Sequence, residues 1–172
     1  FEVEQLLAGE RQMLAFEPFD HGMIFGRCDR TSTMGGIVAA GVAGSRRISA
    51  GGARDHVLGL RAVSGRAEVF VAGAKVVKNV TGYDLPKLAA GSWGRLFAIT
   101  ELTLKVMPRP ESSLTVAVLG LDASAAVRAM ACAMGSQAEV AAAAHIPAIE
   151  GKPLTALRLE GFAPSIAVRA QI

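Results

Sequence analysis

Cysteine is nearly absent from this sequence. Cys28 and Cys132 are the two in 172 residues, too few for a disulfide framework and in keeping with a reducing compartment. Histidine is almost as scarce. His21, His56 and His145 lie far apart, with no His-x-x-x-His, no Cys-x-x-Cys and no cysteine within ligand spacing of a histidine, so no metal site is readable. Charge of one sign is lacking too: 18 Lys and Arg against 15 Asp and Glu leave +3, too slight a bias to argue for nucleic acid or an anionic membrane. No apolar run approaches the roughly 18 residues of a membrane helix; Gly36–Gly44 and Ala141–Ile149 are far too short. The start, Phe1-Glu2-Val3-Glu4, shows no basic region leading into an apolar one, hence no signal peptide, and it lacks an initiator Met, which suggests a trimmed or partial chain. Without that signal the sequon Asn79-Val80-Thr81 is chance. Also missing are a Walker motif, a Gly-x-Gly-x-x-Gly turn after a strand and the Gly-x-Ser-x-Gly elbow, which Gly91-Ser92-Trp93-Gly94 does not match. With 51% hydrophobic and 19% charged residues, disorder is excluded. At about 150 residues per domain the length fits one domain, or one plus a fragment, of a soluble intracellular protein mixing helices and strands.

Glycine is what the sequence has in excess: 19 residues, about 11% against a usual value of about 7%. They crowd at Gly35-Gly36, Gly41, Gly44, Gly51-Gly52, Gly82, Gly91 and Gly94. Such clusters persist where backbone turns with positive φ or lies against a ligand, and tight turns alone are a sufficient reading of them. The spacing predicts a short helix over Val3–Gly9, a strand over Gln12–Glu17 stopped by Pro18, and a loop over Phe19–Ser32. A helix beginning at Thr33, capped by Ser32 or Thr33, is followed by a loop over Gly44–Gly52. Strands at Val57–Val63 and Ala67–Ala72 are joined by Ser64-Gly65-Arg66, and Tyr83–Ala90 reads as a helix capped by Asp84. Leu96–Met107 is one long strand ended by Pro108 and Pro110, which mark a boundary. Beyond it the composition turns alanine-rich and the order is β-α-β-β-α: Leu114–Leu119, Ala123–Met134 capped by Asp122, Val140–His145, Leu154–Glu160 and Pro164–Ala170. That order fits part of a ferredoxin-like unit. The expected fold is therefore α+β, a mixed and mostly antiparallel sheet with flanking helices over residues 1–110, then the start of a second α+β unit over 111–172.

Three loops offer backbone N–H groups to an anion. Thr33-x-Gly35-Gly36 opens a helix, Ser49-Ala50-Gly51-Gly52 forms a turn, and Gly91-Ser92-x-Gly94 precedes the long strand. Together they suit an elongated ligand with a phosphate part. No catalytic base stands out; His56 and His145 qualify by chemistry alone.

The run from Thr33 to Pro110 resembles the second FAD-binding subdomain of the vanillyl-alcohol oxidase/p-cresol methylhydroxylase flavoprotein superfamily, within it most nearly the FAD-binding subunits of bacterial glycolate oxidase. The residues that carry this are Phe16-Glu17-Pro18, Thr33-Met34-Gly35-Gly36, Ser45-Arg46-Arg47, Ala50-Gly51-x-x-Arg54-Asp55-His56-Val57-Leu58-Gly59, Lys78-Asn79-Val80-Thr81-Gly82-Tyr83-Asp84-Leu85 and Gly91-Ser92-x-Gly94-x-x-x-Ile99-Thr100-Glu101. Their order and spacing make the resemblance specific where each block alone is not. It continues more loosely through Leu159-Glu160-Gly161 into the family's cap domain.

The resemblance implies FAD as cofactor, with Thr33, Gly35 and Gly36 along the flavin and pyrophosphate. It puts Ser49, Gly51 and Asp55 in the next pyrophosphate-side loop, Ile99 against the cofactor through its backbone, and Gly94 where close approach is needed. Asn79, Gly82, Tyr83 and Asp84 form the family's signature turn, either a capped turn or a ligand contact, and Arg46-Arg47 form a phosphate pair, a solvated face or a partner contact. It further implies oxidation of a 2-hydroxy acid, glycolate or D-lactate, by a cytoplasmic protein held at the inner membrane through a second flavoprotein subunit and an iron-sulfur subunit. Arg95, Phe97 and Ala98 depart from the family's small-residue pattern, and the family's Gly-rich pyrophosphate loop would lie upstream of Phe1, so this chain need not hold FAD by itself. The rival reading is a non-catalytic assembly subunit that keeps the fold without turning over substrate. Self-association is expected through the last helix, with Ile166, Ala167, Ala170 and Ile172 exposed.

Overall fold

The computed structural model describes residues 2–26, 32–76, 82–149 and 151–172. Chain contacts divide them into two units, Phe1–Gly44 with Gly51–Pro108, and Ser45–Ala50 with Arg109–Ile172. Every strand pairing among the described residues is antiparallel, giving the α+β class expected from the sequence.

In the first unit, α1 (Glu2–Gly9) leads to β1 (Gln12–Met13), a 3₁₀ turn (His21–Phe25) and α2 (Met34–Ala40). After α4 (Ala53–His56) come β2 (Val57–Ser64), β3 (Val69–Gly73), α5 (Leu85–Ala89), β4 (Phe97–Leu104) and β5 (Met107–Pro108); α3 (Arg47–Ala50) belongs to the second unit. The sheet order is β3-β2-β4, with β1 and β5 paired apart from it. One core joins Leu14, Phe16, Ile37, Val38, Ala53 and Val57. A neighbouring core joins Leu60, Ala62 and Ala89 to Phe70, Phe97, Ile99 and Leu102, with Phe70 and Phe97 edge to face at 5.2 Å.

Two of the expected strands are shorter than their sequence pattern. Of Gln12–Glu17 only Gln12–Met13 is strand. Leu14, Ala15 and Phe16 are all buried, a run that a strand covered on both faces or a turn could equally bury; here the chain turns, closed by Glu17 N–H donating to the Leu14 carbonyl at 3.3 Å, with Glu17 at φ 52°. The long strand over Leu96–Met107 ends at Leu104. Beyond it Lys105 N–H donates to the His56 carbonyl at 2.7 Å, and Met107 pairs instead with Met13. A bulge also interrupts it. Arg61 faces Glu101 but Ala62 faces Ile99, so Thr100 is the extra residue. An extra residue reverses the alternation, and Ile99 and Leu102 thereby reach the same core. The loop expected over Gly44–Gly52 contains α3.

In the second unit, β6 (Ser112–Leu119), α6 (Ala123–Met134), β7 (Ala142–Ile149), β8 (Lys152–Gly161) and α7 (Ala163–Arg169) follow in order. The sheet order β6-β8-β7 sets β8 between β6 and β7, the split β-α-β arrangement of a ferredoxin-like unit. Asp122 caps α6, its carboxylate accepting from Ala125 N–H at 2.7 Å. Ala138, Val140, Leu159 and Ile166 form the core. Ile166 is therefore not exposed as the helical pattern suggested: α7 turns it onto β8, leaving Val168 and Ile172 outward. No helix among the described residues is long and apolar enough to cross a membrane.

Candidate functional site

A cleft of about 490 Å³ opens in the first unit, within the size range of small-molecule sites. Its walls are the start of α2 (Thr33, Met34, Gly35) and β4 (Ile99, Thr100, Glu101, Leu102), and Val3, Leu7, Leu14, Leu104 and Val106 give it apolar lining. Thr33 caps α2 with extended backbone, its hydroxyl oxygen accepting from Gly36 N–H at 3.1 Å. A threonine there satisfies one first-turn donor, and the Met34 and Gly35 N–H groups follow it at the positive end of the helix dipole. Gly35 lies flat on β4: a Cβ placed on it would stand 3.9 Å from the Ile99 Cβ. Thr33 and Gly35 are thus brought together on one surface with Ile99, which is distant from them in sequence.

The other expected site residues have local partners. Gly36 abuts the cap, where a Cβ would stand 3.3 Å from the Thr33 Oγ1. Gly51 has φ +82°, and a Cβ on it would meet the Asp55 Oδ2 at 2.6 Å. Asp55 in turn accepts from Gly52 N–H at 2.8 Å, capping α4. Ser49 lies in the second unit, its hydroxyl donating to the Ala141 carbonyl. Gly94 has φ +68° and open space around it. In its loop, the Gly91 and Trp93 N–H groups donate to the Val38 and Ala39 carbonyls at 3.2 and 2.8 Å. These close the C-terminal end of α2, so both amides already have acceptors.

The signature turn is a helix cap over the residues described. Asp84 accepts from Lys87 N–H at 3.3 Å and pairs with the Lys87 ammonium at 2.9 Å. The Lys87 hydrogen bond, ahead of its charge and that of Arg54, holds the Asp84 carboxyl below the usual carboxylate range. Tyr83 is almost wholly exposed and Gly82 has φ +79°; Asn79 lies outside the described residues. Neither candidate base faces the cleft. His56 is buried, its ring 5.5 Å from that of Phe16, and His145 Nδ1 is 3.0 Å from the Thr155 hydroxyl across β7 and β8. Of Arg46-Arg47, Arg46 is tied at 2.7 Å to Glu160.

Thr100 and Glu101 line the cleft, a role the sequence reading did not give them. Strict alternation would set Ile99 and Thr100 on opposite faces, and the bulge at Thr100 is not legible in residue type. Thr100 contributes a hydroxyl that donates to the Arg61 carbonyl at 3.0 Å.

The fold defines a class. The chain has the fold of p-cresol methylhydroxylase-type FAD-binding proteins, with a ferredoxin-like unit following. Within that class it is similar to the glycolate oxidase subunit GlcE of Escherichia coli, at 43% identity over 66% of this chain and 31% of that protein. It is also similar to the glycolate oxidase subunit GlcD of Bacillus subtilis, at 38% identity over 56% of this chain and 21% of that protein. A D-lactate dehydrogenase of Anaerostipes hadrus is 38% identical over 63% of this chain and 22% of that protein. An alkyldihydroxyacetonephosphate synthase structure superposes with a TM-score of 0.70 over 99% of this chain and 34% of that one, at 18% identity. No protein-family model matches the chain. The chain thus spans about a third of its GlcE relative and less of the other two.

Proposed function

We propose that this chain is part of an FAD-dependent oxidoreductase that oxidises the CH–OH group of a small 2-hydroxy acid, glycolate or D-lactate, as one subunit of a larger complex. The observation that carries this reading is the meeting of Thr33, Gly35 and Ile99 on one cleft, in a chain whose relatives include glycolate oxidase subunits and D-lactate dehydrogenases. The residues suit the group. The apolar lining and the bare backbone of Gly35 accept a flat ring, and the α2 terminus attracts a phosphate. Glu101, on the same rim, repels a phosphate and favours the ring there.

When bound, the flavin supplies the electron acceptance for alcohol oxidation, the protein supplying binding and orientation. Thr33 holds the first turn of α2 so that its amides are fixed before the ligand arrives. Gly35 keeps that turn against β4, and Ile99 offers its backbone and an apolar edge. The Asp55 cap and Gly51 shape the neighbouring loop, Gly36 follows the Thr33 cap within α2, and Gly94 lies in the loop before β4. The complex comprises a second flavoprotein subunit and an iron-sulfur subunit, which hold this otherwise cytoplasmic protein at the inner membrane.

The test uses the full-length protein with its partners, followed by flavin absorbance and its bleaching on adding glycolate or D-lactate. Gly35→Leu sends a side chain into the cleft and is expected to abolish flavin binding while the complex still assembles. A wild-type complex that assembles but never carries flavin on this subunit would establish the scaffold reading instead.

A further inference from the structure

We propose that the open face of the β3-β2-β4 sheet carries a second binding site, for a small carboxylate with a hydroxyl on the neighbouring carbon. It lies within the first unit, away from the start of α2, and its chemistry does not depend on a flavin. A depression of about 190 Å³ opens there, with Arg61, Lys75, Glu101 and Thr103 around Gly59 and Gly73. The two glycines face each other across β2 and β3, and the backbone requires both. Gly73 has φ +74°, and a Cβ on it would run into the Leu58 carbonyl oxygen; one on Gly59 would stand 3.3 Å from the Ala72 oxygen and the Ala74 nitrogen. Glycine weakens a strand interior and often marks a close approach of ligand or backbone. Two of them opposite each other leave a floor of bare main chain where a sheet otherwise carries a pair of side chains. Ala74 N–H donates to the Leu58 carbonyl at 3.2 Å, so the chain stays beside β2 past the end of β3 and brings Lys75 to the rim.

Arg61 and Glu101 are partners across β2 and β4, the usual setting for a cross-strand ion pair. They do not form one. Among the described residues neither Arg61 nor Lys75 has a carboxylate within ion-pair distance. Two cations and one carboxylate leave the rim with a single positive charge, which suits a monoanion. The guanidinium and the ammonium hold a carboxylate by charge-assisted hydrogen bonds, and the Thr103 hydroxyl adds a donor. Glu101 sets a second condition: as an acceptor it repels a bare dianion such as phosphate and takes a hydrogen bond from a ligand O–H. Size sets a third, since the depression is smaller than the roughly 300 Å³ at which sites for larger ligands begin. A 2-hydroxy acid meets all three. An amino acid also satisfies Glu101, but as a neutral zwitterion it leaves the charge of the rim uncompensated. Arg61, Lys75 and Glu101 are exposed, so binding is weak and falls with added salt.

The test titrates the full-length protein calorimetrically with 2-hydroxyisobutyrate. This compound has the hydroxyl but no hydrogen on the carbon beside the carboxylate, so the oxidation proposed above cannot consume it. Isobutyrate lacks the hydroxyl, and 2-aminoisobutyrate carries an ammonium in its place. The hydroxy acid is expected to bind about tenfold more tightly than isobutyrate, a difference that disappears in Glu101→Ala. Arg61→Gln and Lys75→Gln should each weaken its binding about tenfold. Arg61→Lys should fall between, since it keeps the charge and loses the two-pronged donor. The proposal is overturned if the hydroxy acid does not bind, or if it binds to Arg61→Gln and Lys75→Gln as to wild type, which would put it elsewhere in the protein. Equal binding of isobutyrate would remove Glu101 from the site, and tighter binding of 2-aminoisobutyrate would make the ligand an amino acid; either result overturns the assignment. A wild-type protein that never binds flavin would leave every one of these titrations readable, so the two readings fail separately.

Discussion

Gly41 ends α2 with φ +68°, and its Cα faces the next loop so closely that a Cβ would lie 2.8 Å from the Gly91 nitrogen. Alanine there meets both a left-handed backbone and a main-chain atom that cannot step aside. Gly41→Ala is expected to destabilise the protein by at least about 1–2 kcal/mol, read as a lower urea midpoint with an unchanged slope. Gly65, with open space around it and no left-handed φ, is the control: Gly65→Ala is expected to be neutral or stabilising by up to about 1 kcal/mol. Equal losses at the two positions would show that the Gly41–Gly91 approach does not matter. Both glycines look alike in the sequence. One closes a helix against a loop and the other fills a hairpin turn, a difference created by a residue fifty positions away.

Among the elements, α5 and β4 mark the two ends of what local sequence can specify. For α5 the signals are all nearest neighbours: Asp84 at the cap, Pro86 in the first turn, Gly91 just beyond. Its cap also carries a pH signature. The folded carboxyl is held below its ordinary value, chiefly by the Lys87 hydrogen bond, so the folded state favours the ionised form. That contribution is present above the ordinary carboxylate range and is lost as pH falls through the depressed value. Asn keeps the capping ability without the charge, so Asp84→Asn is expected to be less stable than wild type at neutral pH, with the difference closing on acidification. The side chains are nearly half exposed, so screening keeps the effect small; a gap that widened towards acid pH would refute the sign. In β4 the residue types also read clearly as strand, but its partner decides its faces. The bulge opposite Arg61 and Ala62 puts Ile99 and Leu102 in one core and brings Thr100 and Glu101 to the cleft, and no propensity announces it.

For the whole molecule, the division into two units, each with its own hydrophobic core, has a direct consequence for stability. Leu159 is buried in the second core beside Val140 and Ile166, and Leu159→Ala is expected to cost about 2–5 kcal/mol. The loss should appear as faster amide exchange across β6, β7 and β8, with β2 and β4 keeping their protection, as for separate cooperative units. Uniform loss of protection over both units would mean that they unfold together.

What the sequence determined by itself was whatever depends on nearest neighbours and on ordered motifs. The caps at Asp84 and Asp122, a cap at Ser32 or Thr33, the hairpin around Gly65, the β-α-β-β-α order after Pro110 and the resemblance carried by the spaced glycine blocks are of this kind. Tertiary structure alone decided which of those glycines share a surface. Thr33, Gly35 and Ile99 meet because α2 lies on β4, while Ser49, two residues before Gly51, belongs with the second unit because Arg46 pairs with Glu160. Likewise Leu14–Phe16 reads as strand by residue type yet leaves the strand and turns into the core beside Ile37, Val38 and Val57. A short apolar run is compatible with either geometry, and only the core it enters selects between them.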